Sequence, residues 1–270
     1  MIVSEAHLEG EVRNGPVIVA VANQKGGVGK TTTVINLAAC LAASEKLTLI
    51  IDLDPQCNAT SGIACESQEE PSLLDLLLDP AAHPQPLPHP TIPRLEILTG
   101  CPDLVGGEKL LSEMPDPAHC VRRILEGLSH NEKKYDFVFL DCPPALNLIT
   151  LNALSSATHL LVPVQAEYFA LEGLTDILES FEFARQNTNQ NLQLLGLLLT
   201  MVDSRTNLSV EVENELRRHY GDKVFKTTIP RNVRLSEAPS HGLPIILYDI
   251  WSRGAKAYME LTKEILNNGA

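Results

Sequence analysis

The 270-residue sequence has no apolar run approaching the roughly 18 residues needed to cross a bilayer. Its opening residues, MIVSEAHLEGEVRNGP, lack the basic-then-apolar order of a secretory leader. These absences predict a soluble, cytoplasmic chain. None of the six cysteines, Cys40, Cys57, Cys65, Cys101, Cys120 and Cys142, forms a C-x-x-C pair, so zinc-ribbon and dithiol redox motifs find no support. They read as reduced and mostly buried small hydrophobes. Positive charge is scarce: 21 Lys and Arg stand against 34 Asp and Glu, a formal net charge of −13. With 44% hydrophobic and 20% charged residues, the composition is still that of a globular chain, neither disordered nor membrane-embedded.

The charge deficit is uneven. Residues 1–199 carry 25 acids against 11 bases, whereas residues 200–256 carry 9 Lys/Arg against 7 Asp/Glu. One face of the C-terminal third could therefore meet phosphate while the rest of the molecule repels it.

What is present is a succession of short β-branched and aliphatic runs separated by helical patterns. Val17–Ala22 and Leu47–Ile51 have the continuous apolar character of strands buried on both faces, and Leu95–Thr99, Phe137–Leu140, His159–Val164 and Leu194–Met201 are further candidates. Helical patterns fall at 31–43, 72–78, 118–128, 171–185 and 210–220. Alternation of this kind predicts an α/β fold, a single domain with a mostly parallel central sheet and helices on both faces. Residues 1–16 read as an N-terminal extension and 17–267 as the domain. Within it, 79–94 is a proline-rich surface loop, with six of the 18 prolines between Pro80 and Pro93.

Between the first strand and the first helix lies Asn23-Gln24-Lys25-Gly26-Gly27-Val28-Gly29-Lys30-Thr31-Thr32. Glycines let backbone N–H groups turn inward around phosphates, and the helix N-terminus adds its positive dipole end. In such a loop Lys30 reaches the β- and γ-phosphates and Thr31 ligates Mg²⁺. With glycine near 7% of residues, this pattern arises by chance on the order of once in ten thousand such chains. The loop departs from the usual P-loop in having Gln24 in place of the first glycine and an added lysine, Lys25. A second lysine at the rim of a phosphate site suits its own nucleotide or a partner's phosphates. Asp52 and Asp54 follow the second strand and Asp141 ends another, at the carboxyl ends where open α/β sheets bind ligands.

KGGVGKTT with its extra lysine resembles the deviant Walker A ATPases of the ParA/MinD group. DLDPQCNATSG (52–62), FVFLDCPPAL (137–146), TMVDSRTNLS (200–209) and IPRNVRLSEAPSHGLPIILYD (229–249) resemble the ParA/Soj partition branch in particular. The resemblance implies ATP bound by Lys25, Gly26, Gly27, Val28, Gly29, Lys30, Thr31 and Thr32, with Pro230 and Asn232 on the adenine side. It implies Lys25, Lys30 and Asp54 as catalytic residues, Asp54 positioning the attacking water, and Mg²⁺ held by Thr31, Asp141 and Asp52. Cys142-Pro143-Pro144 resembles a γ-phosphate-sensing switch. The implied cycle is an ATP-bound homodimer that binds double-stranded DNA without sequence preference on the nucleoid, through Arg205 and Arg234. A ParB-type partner stimulates its hydrolysis. Both arginines are expected in loops with few acids nearby. Cys57 stands where the branch has glycine, so a left-handed backbone there would be strained.

Two competing readings use the same loop. A MinD-like membrane-binding regulator needs a basic amphipathic C-terminal helix, but Lys256 and Lys263 are offset by Glu260 and Glu264, and Tyr258, Leu261 and Ile265 are expected in the core. An iron–sulfur electron carrier needs cysteines at a dimer axis, and Cys142 directly follows Asp141.

Overall fold

The apolar runs form a single sheet. A computed structural model describes residues 15–65, 70–129, 133–167, 170–203 and 205–267, so 1–14 of the expected extension lie outside the described residues. The strands are β1 (Val17–Val21), β2 (Thr48–Asp52), β3 (Leu87–Pro88), β4 (Leu95–Leu98), β5 (Phe137–Asp141), β6 (His159–Gln165) and β7 (Gln193–Thr200). Their order is β3-β4-β2-β5-β1-β6-β7. All pairings are parallel except that of the two-residue edge strand β3, which runs antiparallel to β4. The proline-rich segment therefore contributes a strand that sequence patterning had left out. Pro88 is tolerated there because an edge strand has one side free of ladder hydrogen bonds.

The helices are α1 (Lys30–Ala43), α2 (Asn58–Gly62), α3 (Leu73–Leu78), α4 (Leu104–Ser112), α5 (Cys120–Ser129), α6 (Leu148–Ser156), α7 (Ala170–Asn187), α8 (Asn207–Tyr220), α9 (Val233–Glu237), α10 (Ile245–Tyr248) and α11 (Arg253–Asn267). Local chemistry starts several of them. Ser72 makes a capping box with Asp75 at α3, and the Asn147 side chain accepts from the Thr150 N–H at α6.

Strand alternation divides the core between the two faces of the sheet. Val17, Val19, Val21, Ile50, Phe137 and Phe139 pack with α1 and α11, while Ala20, Leu49, Ile51, Val138 and Leu140 pack with the helices of the opposite face. Helix α1 is buried from Thr33 to Ala42, because α11 covers its outer side with Tyr258, Leu261 and Ile265, each at most 1% exposed. Each such side chain is worth roughly 1.5–3 kcal/mol of burial. The C-terminal helix thus spends its apolar face on the core, as its sequence predicts, and no helix among the described residues is long and apolar enough to cross a membrane.

Candidate functional site

The strand order reverses beside β1, between its parallel neighbours β5 and β6, the kind of place where open α/β sheets have a crevice at their carboxyl ends, and the glycine-rich loop leaves β1 there. Leaving β1, the buried Asn23 donates from Nδ2 to the Pro163 carbonyl on β6 (2.8 Å) and accepts from the Lys25 N–H (3.0 Å). Gly27 and Gly29 take φ of 75° and 90°, which an L side chain resists. A Cβ on Gly29 would also come within 3.8 Å of Thr200, whose hydroxyl donates to the Val28 carbonyl (2.8 Å). The loop is therefore pinned from β6 and β7, and α1 begins at Lys30.

Lys30 is 6% exposed and its ammonium donates to the Lys25 carbonyl at 3.2 Å. Burial lowers its pKa, against the pull of Asp141, Cys142 and Asp54. Asp141 is fully buried, and neither of its oxygens receives a hydrogen bond of good geometry. Burial raises its pKa well above the usual carboxylate range and the charge of Asp52 adds to this, while the nearby Thr31 hydroxyl and Lys30 favour the charged form. A buried carboxylate without a donor, beside a hydroxyl and an ammonium, fits a divalent cation.

Asp52 is in a different setting. Its Oδ2 accepts from the Thr60 N–H (2.9 Å) and hydroxyl (2.7 Å), and its Oδ1 from the Asp54 N–H (3.3 Å). Thr60 in turn accepts from the Gly100 N–H at 2.9 Å, where a Cβ would lie 3.0 Å from Asp52. Burial raises Asp52 to about 6 despite these donors. Its oxygens are thus tied to the loop that carries Asp54. Asp54 is 6% exposed, with Oδ1 accepting from the Gln56 N–H at 2.9 Å. Cys57 adopts φ 53°, the left-handed backbone that its glycine-like position demands.

Lys25 points to Glu167 at the end of β6, 3.5 Å away, and Glu167 also faces Arg231 at 3.8 Å. This carboxylate brings the segment containing Pro230 and Asn232 beside the loop. That segment extends the sheet edge through Ile229 N–H to Leu199 (2.8 Å) and Arg231 N–H to Val202 (3.0 Å), and Asn232 caps α9. Asn23, Thr60, Gly100, Glu167, Thr200 and Arg231 were not legible as site residues. They come together only through the strand order, which the sequence does not carry.

The two arginines expected to meet DNA are not clear of acids, which corrects the sequence reading. Arg205 is 86% exposed but forms a bidentate pair with Asp203 (2.8 and 2.7 Å), which holds the Asp203 carboxyl well below its usual range. Arg234 lies in the short helix α9 rather than a loop. It pairs with Glu237 (2.9 Å) and Asp249 (3.6 Å) and lies over the Tyr248 ring. Arg217 and Arg218 pair along α8 with Glu213 and Glu215, as their spacing predicts. Cys142 is fully buried and its thiol pKa is raised by burial.

A mostly parallel sheet with a glycine-rich loop between β1 and a buried α1, and acids ending the adjoining strands, defines a P-loop NTPase with an added loop lysine. A family model described as AAA domain matches residues 17–194. Over 253 residues the chain is 47% identical to the sporulation initiation inhibitor protein Soj of Bacillus subtilis, covering 93% of this chain and 99% of that one. It is 45% identical to the chromosome partitioning protein ParA of Myxococcus xanthus, covering 92% and 87%. The chain belongs to the ParA/Soj family. Among solved structures, cobyrinic acid a,c-diamide synthase from Mycobacterium smegmatis with bound ADP and magnesium superposes with a TM-score of 0.80 at 32% identity, covering 94% of this chain and 95% of that one. McdA of Cyanothece superposes equally well at 22% identity, a likeness of fold.

Proposed function

We propose that this chain is a Mg²⁺-dependent ATPase whose ATP-bound dimer binds DNA without sequence preference and drives chromosome or plasmid partition. The observation that carries the reading is Asp141, a buried carboxylate lacking a donor, set beside Thr31 and Lys30 in a pinned glycine-rich loop. Thr31 and Asp141, with Asp52 behind them, would hold the ion, which would supply charge shielding to the phosphates. Lys30 exchanges the Lys25 carbonyl for the β- and γ-phosphates, and the loop N–H groups from Gly26 to Thr32 surround them. Asp54, steadied through the Asp52–Thr60 contacts, orients the attacking water. Pro230 and Asn232 line the base.

Lys25 leaves Glu167 and reaches the phosphates of a second subunit, so ATP selects the dimer by contacting both. Arg205 and Arg234 contact DNA phosphates after exchanging their carboxylate partners, and a ParB-type protein speeds hydrolysis and release. Binding of a fluorescent duplex by wild type and Arg234→Ala, with ATP, ADP or no nucleotide across a salt series, tests the reading. Binding confined to ATP, weakened by salt and by the substitution, is expected. A protein that binds ATP but no DNA in any state would overturn the DNA function and direct attention to a membrane or protein cargo.

A further inference from the structure

Beside Arg234 the surface carries apolar side chains that the phosphate site leaves unused. Trp251, the sole tryptophan of the chain, is 80% exposed, the highest value among the large hydrophobic residues described. Ile250, its neighbour in the chain, is 48% exposed. An indole left in water offers a large apolar area to whatever covers it.

The backbone that carries the ring is fixed. Ile250 and Trp251 lie in the turn between α10 and α11, and the Trp251 N–H donates to Asp249 Oδ1 at 3.1 Å. The other oxygen of Asp249 faces Arg234 Nε at 3.6 Å. One carboxylate therefore ties the tryptophan turn to the arginine. Behind the turn, Gly254 meets α9 so closely that a Cβ there would lie 2.6 Å from Leu235 Cγ. Arg234 and Trp251 thus share one rigid support.

Charge around the turn differs from that of the molecule. Between Pro230 and Lys256 stand Arg231, Arg234, Arg253 and Lys256 against Glu237 and Asp249, a local surplus of cations in a chain of net charge −13. Arg253 and Lys256 are exposed and in no ion pair among the described residues. Cations around an exposed aromatic ring suit a polyanion that also has flat apolar faces, which is nucleic acid. A membrane surface is the weaker fit. Helices α9 and α10 have five and four residues, and α11 buries its apolar side chains in the core, so the described residues give the patch no amphipathic helix.

We infer that Ile250 and Trp251 form an apolar wedge that enters the DNA beside Arg234 and packs on the bases of an opened step. Apolar wedges unstack and kink a duplex with little regard to sequence, and an aromatic ring stacks on any base. The chain accordingly favours DNA in which a step is already open. The inference rests on the proposed DNA binding and adds to it a preferred state of the DNA.

The test uses the full chain with Mg²⁺-ATP, a fluorescein-labelled duplex, and the same duplex carrying a short gap. Anisotropy gives the affinities, and Trp251 emission against unlabelled DNA reports the ring itself, since no other tryptophan contributes. The expected result is tighter binding of the gapped duplex, with emission quenched at saturation. Trp251→Ala should weaken gapped-duplex binding about five-fold, the loss of one stacked base, and erase the preference for the gap. Trp251→Phe should restore it. The salt dependence should stay unchanged in Trp251→Ala, because no phosphate contact is lost, but flatten in Arg234→Ala. The substituted side chain is at the surface, and thermal melts with ATP titration report folding and the nucleotide site independently. Unmoved emission in a protein that binds DNA, or Trp251→Ala binding both duplexes as wild type does, would overturn the wedge and leave the DNA reading standing. A protein that binds ATP but neither duplex would refute the DNA reading and the wedge together. Quenching by anionic vesicles in that protein would assign the patch to a membrane.

Discussion

At the scale of single residues, the site separates two aspartates that sequence treats alike. Asp52 and Asp141 both end apolar strands, yet Asp52 accepts three hydrogen bonds of good geometry while Asp141 has only the nearby Thr31 hydroxyl and Lys30. Nothing in the sequence distinguishes them, because the donors come from Thr60 and its contact with Gly100, 40 residues apart and joined only by strand order. Asp141→Asn removes a buried carboxyl whose charged form burial and Asp52 disfavour more than Thr31 and Lys30 favour it. It should raise the melting temperature of the nucleotide-free protein by about 2–4 °C, the shift that 1 kcal/mol gives at this size, while abolishing stabilisation by Mg²⁺-ATP. Scanning calorimetry with and without ligand checks both halves, and a lower melting temperature without ligand would contradict the account. Thr60→Val keeps the shape of the side chain but leaves Asp52 and the Gly100 N–H short of a partner. A loss of about 1–3 kcal/mol is expected, with turnover falling more than ATP affinity and Thr60→Ser restoring both. Cys57 was legible in a different way. The sequence marked it as a place where a left-handed backbone would be strained, and φ 53° shows that the chain adopts it with a Cβ present.

At the scale of elements, periodicity located the long strands and helices α1, α3, α5, α7 and α8 to within about three residues, but α4, α6 and the shortest helices escaped. Helices α2, α9 and α10 have only four or five residues each, less than a window in which 3.6-residue periodicity can register. The edge strand β3 escaped because its proline speaks against a strand everywhere except at an edge. That segment is fastened to β4 by His89, whose N–H donates to the Leu95 carbonyl (2.8 Å) and whose Nδ1 accepts from the Thr91 and Ile92 N–H groups (3.1 and 3.0 Å). Burial lowers the His89 pKa, so the folded protein prefers the neutral ring. The unfolded chain then binds more protons, and the stability this contributes is present above the unfolded value near 6.5. It is lost as pH falls from there toward the lower folded value. Urea unfolding at pH 7.5 and pH 5 should show a loss in wild type that is smaller in His89→Gln, a residue that can still accept hydrogen bonds but does not titrate. An equal loss in both proteins would rule out this histidine as the cause.

For the whole molecule, the sequence announced layers but not their order. Strands buried on both faces are apolar at nearly every position, so their pattern carries no record of which neighbour lies on which side. The order β3-β4-β2-β5-β1-β6-β7 is what gathers Glu167, Thr200 and Arg231 around the loop. The same limit applies to charge. The more basic C-terminal third was visible in the sequence, while the pairing of Arg205 with Asp203 and of Arg234 with Glu237 was not. A molecule of net charge −13 can hold DNA only where local cations outweigh the general repulsion. If two arginines from each subunit of a dimer neutralise four phosphates, the logarithm of affinity should fall against that of salt with a slope of about −3.6. Because Asp203 competes with phosphate for Arg205, Asp203→Asn should strengthen ATP-dependent DNA binding, keeping the acceptor for the Arg205 N–H while removing the charge. Arg205→Ala should weaken binding and flatten the slope by about 1.8, two contacts per dimer. If Asp203→Asn bound no more tightly and Arg205→Ala left the slope unchanged, the DNA face would lie elsewhere on the molecule.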